Sequence, residues 1–289
     1  MSQYAAHLLV TWCTYSLVAV AVGMSATRLR MVPLHHVSIF AAGGYLVILS
    51  MRVGLGFGVG LVGAAAGGAI FGILTLPLAL RSSTEVFLFG SLAIQVAAYA
   101  VFVSAVSITG GAFGVAFGGT PSILGLRLET PGDFLIVGGV MLLALFVSLN
   151  SRQGRALVRD AYAVGTDPDL FKALGQSAWI PQLIVLCGSG SVVAVAGGFH
   201  AAYLASWDPS MAGLSLAIVM LCAGMFGGIG KLSLTLAGSA IVVILPELLR
   251  LLSFAGPASA RLQNIAFGFL LIAFALRGTA LSEEAATGV

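Results

Sequence analysis

The stretch GFGVGLVGAAAGGAIFGILTLPLAL (Gly56–Leu80) runs for 25 residues without a charged side chain. A helix needs about 20 apolar residues to cross the hydrocarbon core of a bilayer, because each residue adds about 1.5 Å of length. The stretch is long enough and apolar enough to do so. It predicts a transmembrane helix, and similar stretches recur along most of the chain.

The whole chain of 289 residues shares this character. Hydrophobic residues make up 59% of it, charged residues only 8%, and the mean hydropathy is +1.08. A soluble domain carries about 25% charged residues, so the few charges here cannot cover a water-facing surface. Composition therefore predicts an all-α, polytopic membrane bundle in which residues 1–289 form a single integral membrane domain.

Apolar runs of spanning length occur about nine times, and a count of eight to ten fits the glycine-rich segments equally well. The predicted spans are Ala5–Met24, His36–Met51, Gly56–Leu80, Glu85–Ile108, Asp133–Asn150, Ile180–Leu204, Gly213–Gly228, Leu232–Phe254 and Leu262–Leu276.

One polar loop interrupts this pattern: SRQGRALVRDAYAVGTDPDLFKALGQSAW (Ser151–Trp179). It contains four of the 13 Lys and Arg residues, and a polar helical segment between membrane helices suits the docking of another protein. If this loop is cytoplasmic and the chain crosses the membrane nine times, nine Lys and Arg residues lie on the cytoplasmic side and four on the other side. Because cytoplasmic loops carry the excess of Lys and Arg, we predict that this loop and the C-terminus are cytoplasmic.

Small residues follow a four-residue spacing in the third span, at Gly56, Gly60, Ala64, Gly68 and Gly72. Residues four apart lie on the same helix face. Small side chains there let a second backbone approach closely, so the spacing predicts tight helix packing. A sliding contact in a moving transporter is the alternative.

Two segments hint at internal symmetry. AGGAIFGILTLPLALR (Ala66–Arg81) and AGSAIVVILPELLR (Ala237–Arg250) align if two residues are skipped. In the predicted topology the two helices run in opposite directions, as inverted repeats of transporters do.

Motifs of a metal site, a nucleophilic triad or a nucleotide-binding loop do not occur in the sequence. His35 and His36 are adjacent, but adjacent side chains of a helix point in different directions. Acidic residues deep in the predicted spans, which ion-coupled carriers usually need, are scarce. We expect no catalytic residue, metal, cofactor or nucleic-acid partner for this chain, and we expect the energy for transport to come from another subunit.

Four ordered segments carry a family resemblance. The polar loop is similar to the pattern S-R-x-G-R-A-L-x-A-x-R-E-D-x-x-A-A-x-A-L-G, although AVGTD replaces its R-E-D. The other segments are PLHHVSIFAAGGY (Pro33–Tyr45), ITGGAFGV (Ile108–Val115) with Thr120-Pro121, and FGGIGKLSLTLAGSAIVVILPELLR (Phe226–Arg250). Together they resemble the permease subunits of branched-chain amino acid ABC importers. The Thr-Gly-Gly segment favours a LivM-like over a LivH-like subunit.

The resemblance implies a transport subunit, not an enzyme, in a bacterial inner membrane. A second, LivH-like permease would complete the pathway, two cytoplasmic ATPases would bind ATP and Mg, and an extracytoplasmic binding protein would deliver the substrate. The substrate would be a branched-chain amino acid or a related small amino acid, amide or acid. The alternative function is a stand-alone, ion-coupled secondary transporter.

Within the polar loop, the resemblance identifies Asp167–Gly175 as the coupling helix that docks to an ATPase. Asp167-Pro168 is typical of a helix N-cap and first position. An apolar stripe follows that suits a groove in a partner, although a helix lying on lipid is the alternative. The predicted coupling residues are Asp167, Leu170, Phe171, Ala173, Leu174, Gly175 and Arg155.

Polar side chains of the second to fourth spans are candidates for the translocation pathway. Ser91, Gln95 and Tyr99 are spaced i, i+4 and i+8 and share one helix face. Hydrogen bonding between helices is the alternative role for such a face. His36, which matches a family histidine, and Tyr45 complete the predicted set.

Two outer loops, Thr109–Gly132 and Ser206–Ala212, would receive the binding protein. The predicted docking residues are Thr109, Gly110, Gly111, Thr120, Pro121, Trp207 and Asp208.

Overall fold

The computed structural model describes residues 2–81, 83–123, 125–226, 232–251, 265–269 and 272. The helices are α1 (Ser2–Gly23), α2 (His36–Arg52), α3 (Phe57–Arg81), α4 (Thr84–Ser104), α5 (Val106–Thr109), α6 (Pro131–Asn150), α7 (Arg152–Thr166), α8 (Pro168–Ala173), α9 (Trp179–Leu204), α10 (Leu214–Phe226) and α11 (Leu232–Leu251). The strands are β1 (Val115–Ala116), β2 (Ser122–Ile123), β3 (Leu126–Arg127) and β4 (Ser206–Trp207). A π-helical turn (Met24–Arg28) and two 3-10 turns (Gly111–Phe113 and Pro209–Ala212) complete the elements.

Five helices among the described residues are long and apolar enough to cross a membrane: Gln3–Arg28, Phe57–Arg81, Thr84–Ser104, Pro131–Asn150 and Trp179–Leu204. Three shorter apolar helices cover His36–Arg52, Leu214–Met225 and Thr235–Leu248. The multi-pass helical architecture is therefore confirmed, whereas the count of about nine spans stays a prediction. Most of the ninth predicted span, Leu262–Leu276, lies outside the described residues.

Two of the predicted span boundaries differ from the helix ends for local backbone reasons. The fourth span was predicted to continue to Ile108, but α4 ends at Ser104 because Ala105 leaves the helical conformation at φ −78° and ψ 55°. The third span was predicted from Gly56, but that residue has φ +86° and stands before α3.

The centre of the bundle is a three-helix unit of α2, α3 and α9. The remaining small residues of the predicted face, Gly60, Ala64, Gly68 and Gly72, are all buried. Gly60 packs on α2, whereas Gly68 and Gly72 pack on the α9 backbone. The hydroxyl of Ser191 donates to the carbonyl of Ala65 at 2.8 Å, which adds a hydrogen bond to this contact between α3 and α9, called the seam below. This face is used for tight packing, as predicted.

A second unit forms around α1, which packs on α6, α9, α10 and α11. Ser16 and Ser239 share a buried hydrogen bond of 2.8 Å between α1 and α11. The Trp12 indole donates to the carbonyl of Leu236 at 3.1 Å along the same contact. His7 of α1 and Pro246 of α11 border one cavity, whereas Val20 and Thr235 border another, so α1 and α11 run in opposite directions. Because α1 and α3 both run opposite to α9, α3 and α11 also run in opposite directions, and the inverted repeat itself stays a prediction.

The chain between α1 and α2 leads back into the interior of the bundle. The π-helical turn ends at Arg28, and Arg30 adopts the left-handed region with φ +54°. The next helix begins at His36, whose ring contacts Ser189 of α9. Ser189 is the eleventh residue of α9, so this contact lies about 15 Å along that helix. The short α2 therefore starts deep in the bundle.

The two ends of the bundle differ in structure. At one end, which we call the strand end, β1 pairs with β4 and β2 with β3 in two short antiparallel ladders that the sequence did not predict. At the other end, which we call the α7–α8 end, the amphipathic α7 and the short α8 connect α6 to α9. Within the described ranges, short strands therefore supplement the predicted all-α architecture at the strand end.

Candidate coupling and translocation sites

The helix α8 begins and ends with well-defined caps. The carboxylate of Asp167 accepts hydrogen bonds from the backbone N–H groups of Asp169 and Leu170, at 3.1 and 2.9 Å. Pro168 occupies the first helical position, where its missing N–H costs nothing. Gly175 ends the segment with φ +77°, a conformation that favours glycine. The predicted cap at Asp167-Pro168 is therefore present, and it defines where the short helix begins.

The apolar side chains of α8 are exposed. Leu170 is 58% and Leu174 71% exposed, and Phe171 is half-buried. Ala173 is also exposed, and no residue of α8 is buried. Exposed leucines on a capped helix outside the apolar spans favour a contact surface over a packed core.

The preceding helix α7 is held by close backbone contacts. Ser151 caps it by accepting from the N–H of Gly154 at 3.0 Å, and a Cβ at Gly154 would collide with the carbonyl of Ser148. Gly165 lies against the backbone of Arg28 and Leu29, where a Cβ would also collide. These contacts explain why the loop motif has Ser151 and Gly154 at these positions. The contact of Gly165 holds α7 against the π-helical turn.

Arg155 lies apart from the other predicted coupling residues. It is exposed on the face of α7 that borders a cavity with Arg28, Arg159 and Tyr162. The predicted coupling residues between Asp167 and Gly175 thus lie on one segment, whereas Arg155 lies on a different surface.

The polar face of α4 makes hydrogen bonds to other elements. The Ser91 hydroxyl accepts from the N–H of Leu34 at 3.2 Å and lies 3.2 Å from the carbonyl of Val32. One turn further along, the Gln95 amide donates to the carbonyl of Ala212 at 2.7 Å. Both side chains are buried, whereas Tyr99 is 41% exposed. In this conformation Ser91 and Gln95 therefore connect α4 to the bundle.

A cavity of about 840 Å³ opens beside this face, between α1, α4, α10 and α11. Gln95 and Tyr99 border it, but Ser91, His36 and Tyr45 do not. Other polar groups that border it are His7, Thr11, Tyr15, Ser210, Ser215 and the carboxylate of Glu247. Of the five predicted pathway residues, the structure brings only Gln95 and Tyr99 to one cavity.

His36 and Tyr45 lie in the packed core. His36 Nε2 lies 3.0 Å from the hydroxyl of Ser189, which also accepts from the Ser25 hydroxyl at 3.2 Å. Tyr45 packs on Phe102 of α4 with ring centroids 5.2 Å apart. Both side chains are less than 5% exposed, so in this conformation they join helices and do not border open space.

The Thr-Gly-Gly motif forms a tight turn at the strand end. The buried hydroxyl of Thr109 donates to the carbonyl of Phe102 at 2.6 Å and accepts from the N–H of Gly111 at 3.2 Å. Gly110 and Gly111 have φ values of +73° and +58°, which only glycine adopts readily. The motif therefore shapes the loop at the strand end, and it offers little side-chain surface for docking.

The second loop that was predicted to be outer is anchored through Trp207. Its indole is 1% exposed and donates to the carbonyl of Ala41 at 2.9 Å. Asp208 caps the following 3-10 turn by accepting from the N–H of Ser210 at 2.8 Å. Thr120 is exposed and Pro121 is buried in the other loop. Trp207, one of the predicted docking residues, is therefore buried and holds the loop on α2.

An exposed aromatic residue was missed by the sequence analysis. Phe113 ends the 3-10 turn Gly111–Phe113, and its side chain is 99% exposed at the strand end. The available signal was an aromatic residue flanked by small residues in a predicted outer loop.

Comparison with known proteins agrees with the motif analysis. Residues 4–275 match the family described as branched-chain amino acid transport system / permease component, and the chain belongs to this family. It is thus a membrane permease component, as the ordered motifs predicted. No curated protein matches the chain. A solved structure titled "PsaBC from Streptococcus pneumoniae in complex with Fab" is similar with 19% identity and a TM-score of 0.47, over 92% of this chain and 89% of that one.

Proposed function

We propose that this chain is the LivM-like permease subunit of an ATP-driven importer. A second permease would complete the pathway, two cytoplasmic ATPases would drive it, and an extracytoplasmic binding protein would feed it. The cargo would be a branched-chain amino acid or a related small molecule. Family membership supports the permease role, and the exposed α8 is the observation on which the ATP-driven part of the proposal rests.

The surface of α8 suits an ATPase groove. Leu170 and Leu174 expose apolar area on a segment whose start is fixed by the Asp167 cap. A preformed helix loses little conformational entropy on docking, which favours the complex. Lys172 and Asp169 pair with each other at 3.0 Å, so the polar rim beside the leucines is nearly neutral.

A movement of α8 has a physical route to the bundle. Asp167 is shared by α7 and α8, so displacing α8 displaces α7. The contact of Gly165 with the Arg28–Leu29 backbone would then transmit the movement to the π-helical turn. The chain that follows this turn leads to His36 and α2 in the core. Nucleotide binding by the ATPases would thereby bias the bundle between two arrangements.

The cavity beside α4 is the candidate substrate route. Gln95 and Tyr99 border it together with apolar side chains, a combination that suits a small molecule with one polar and one apolar end. In the apolar 18-residue stretch of each helix, only 17% of α4 and 11% of α6 is buried. A second permease packed on the exposed side of α4 would close the cavity into a pathway.

Isolation of the intact transporter tests the assembly. The tagged chain should co-purify with two ATPases and a second permease, and uptake of labelled leucine in vesicles should require ATP and resist an uncoupler. Transport by this chain alone that collapses with an uncoupler would instead establish the secondary carrier.

A matched pair of variants tests the role of α8. Leu174→Asp should abolish ATP-driven uptake and leave membrane insertion intact. Val53→Asp is the control, because Val53 is also 71% exposed but lies at the strand end, between α2 and α3. Normal uptake by Leu174→Asp, or equal loss in both variants, would contradict docking through α8.

A further inference from the structure

A second cavity, of about 590 Å³, opens at the α7–α8 end of the bundle. It lies where α1, α6, α10 and α11 meet α7. Three arginines border it: Arg28 from the π-helical turn, and Arg155 and Arg159 from α7. Neither the coupling surface of α8 nor the cavity beside α4 includes these residues.

The cavity carries a surplus of positive charge. Arg155, Arg159 and Tyr162 are spaced i, i+4 and i+7, so one face of α7 presents all three. Arg28 lies over the ring of Tyr162, 5.6 Å from its centroid. Arg159 pairs with Asp160 at 3.2 Å, and within the described part of the chain neither Arg28 nor Arg155 makes an ion pair. Asn150 and Thr27 add hydrogen-bonding groups. The site is therefore suited to an anion.

An apolar groove lies beside this cavity, further along α6. The groove has a volume of about 250 Å³, and Val20 of α1 borders both spaces. The remaining wall consists of Leu142, Leu143, Leu145 and Phe146 of α6 and Leu236 of α11. The groove follows α6 from Phe146 back to Leu142, about 6 Å, and the two spaces together follow α6 from Asn150 to Leu142, about 12 Å. A cationic cavity and an adjoining aliphatic slot thus lie end to end along the membrane spans.

We propose that these two spaces bind one anionic phospholipid. Its phosphate-bearing headgroup would lie between the arginines, and an acyl chain would fill the slot between α6 and α11. Each Arg near an anionic headgroup favours binding electrostatically, and a basic cavity between membrane helices is suited to such lipids. A free phosphate ion would satisfy the arginines but leave the aliphatic slot without an occupant, so the combination favours a lipid.

The lipid would also stabilise the position of α7. One face of α7 would bind the headgroup while Gly165 holds its C-terminal part on the Arg28–Leu29 backbone. The bound lipid would therefore join α6, α7 and α11 at the end from which α8 extends.

Native mass spectrometry of the full-length chain, purified in mild detergent with the subunits that accompany it, tests the site. Phosphatidylglycerol should remain bound in preference to phosphatidylcholine of the same chain length. The double variant Arg155→Gln/Arg159→Gln should weaken that binding by at least about tenfold, as expected for removing two cationic partners. The control Arg152→Gln, exposed on α7 but away from the cavity, should bind as the parent chain does. Equal retention of phosphatidylglycerol by the double variant would overturn the proposal.

Two further arms separate the lipid from other anions. Leu145→Trp fills the slot, so it should reduce binding of long-chain phosphatidylglycerol and leave binding of a dihexanoyl form unchanged. Displacement of the long-chain lipid by millimolar inorganic phosphate would instead identify a free-phosphate site and contradict the proposal. Loss of the ATPases from the double variant with unchanged lipid retention would assign the arginines to an acidic protein surface, and would contradict it as well.

Discussion

Gly68 of α3 and Gly190 of α9 pack backbone against backbone, and each lies where a Cβ of the other would collide with its carbonyl oxygen. The contact is reciprocal, so neither position accepts a side chain unless the helices separate. Dispersion between closely spaced backbones, together with the Ser191 hydrogen bond to the Ala65 carbonyl, holds this seam. α9 follows directly on the α7–α8 segment, and Gly190 is its twelfth residue, so the seam lies about 16 Å along this helix from the polar loop.

The first prediction concerns this seam. Gly68→Ala should lower the thermal midpoint in detergent, because overpacking a well-filled contact costs about 1–3 kcal/mol. The control is Gly63→Ala on the same helix, where a Cβ meets open space. Size-exclusion chromatography after heating measures both. An unchanged midpoint for Gly68→Ala would mean that α3 and α9 are not in contact as described.

The helices and this seam could be predicted from local sequence because their signals are periodic. Apolar length gave the spans, and the four-residue spacing of Gly60, Ala64, Gly68 and Gly72 gave the packing face. The Asp167-Pro168 cap was likewise local. Such signals depend only on residues within a few turns of one another.

The parts that sequence could not predict depend on contacts between distant residues. His36 was assigned to the pathway, but its partner Ser189 is 153 residues away and no periodicity connects them. Trp207 was assigned to a docking surface, but its indole bonds to Ala41, 166 residues away. Hydropathy also cannot distinguish a helix that starts at the membrane surface from α2, which starts inside the bundle. The helical architecture and the cap of α8 therefore followed from the sequence, whereas the buried contacts of His36 and Trp207 did not.

The second prediction tests the buried hydrogen bonds around Ser189. Ser189→Ala should destabilise the protein by about 1–3 kcal/mol, because it leaves the His36 ring and the Ser25 hydroxyl without their partner. Ser191→Ala is the matched control on the same helix, since Ser191 serves a single carbonyl. Thermal midpoints of both variants give the comparison. A larger loss for Ser191→Ala would contradict the central role of Ser189.

The third prediction assigns a docking role to Phe113. Exposed aromatic side chains often carry much of the energy of a protein interface. Phe113→Ser should raise the concentration of binding protein needed for half-maximal ATPase stimulation by about tenfold, the equivalent of 1.4 kcal/mol. ATPase activity without binding protein should not change, which separates docking from misfolding. Phe113→Leu retains apolar area and should recover much of the stimulation. Stimulation of the Phe113→Ser transporter at the parental concentration would show that the binding protein contacts another surface.

The fourth prediction separates the two roles that the α4 face allows. Ser91 and Gln95 both bond to carbonyls of other elements, but only Gln95 borders the 840 Å³ cavity. A hydrogen bond between membrane helices contributes about 0.6 kcal/mol on average, so Ser91→Ala and Gln95→Met should lower stability by similar, small amounts. If the cavity is the substrate route, Gln95→Met should in addition raise the KM for leucine uptake severalfold, whereas Ser91→Ala should leave the KM unchanged. Uptake in vesicles with saturating binding protein measures both values. Parental KM values in both variants would assign Gln95 to helix packing alone, and the substrate route would then have to avoid this part of α4.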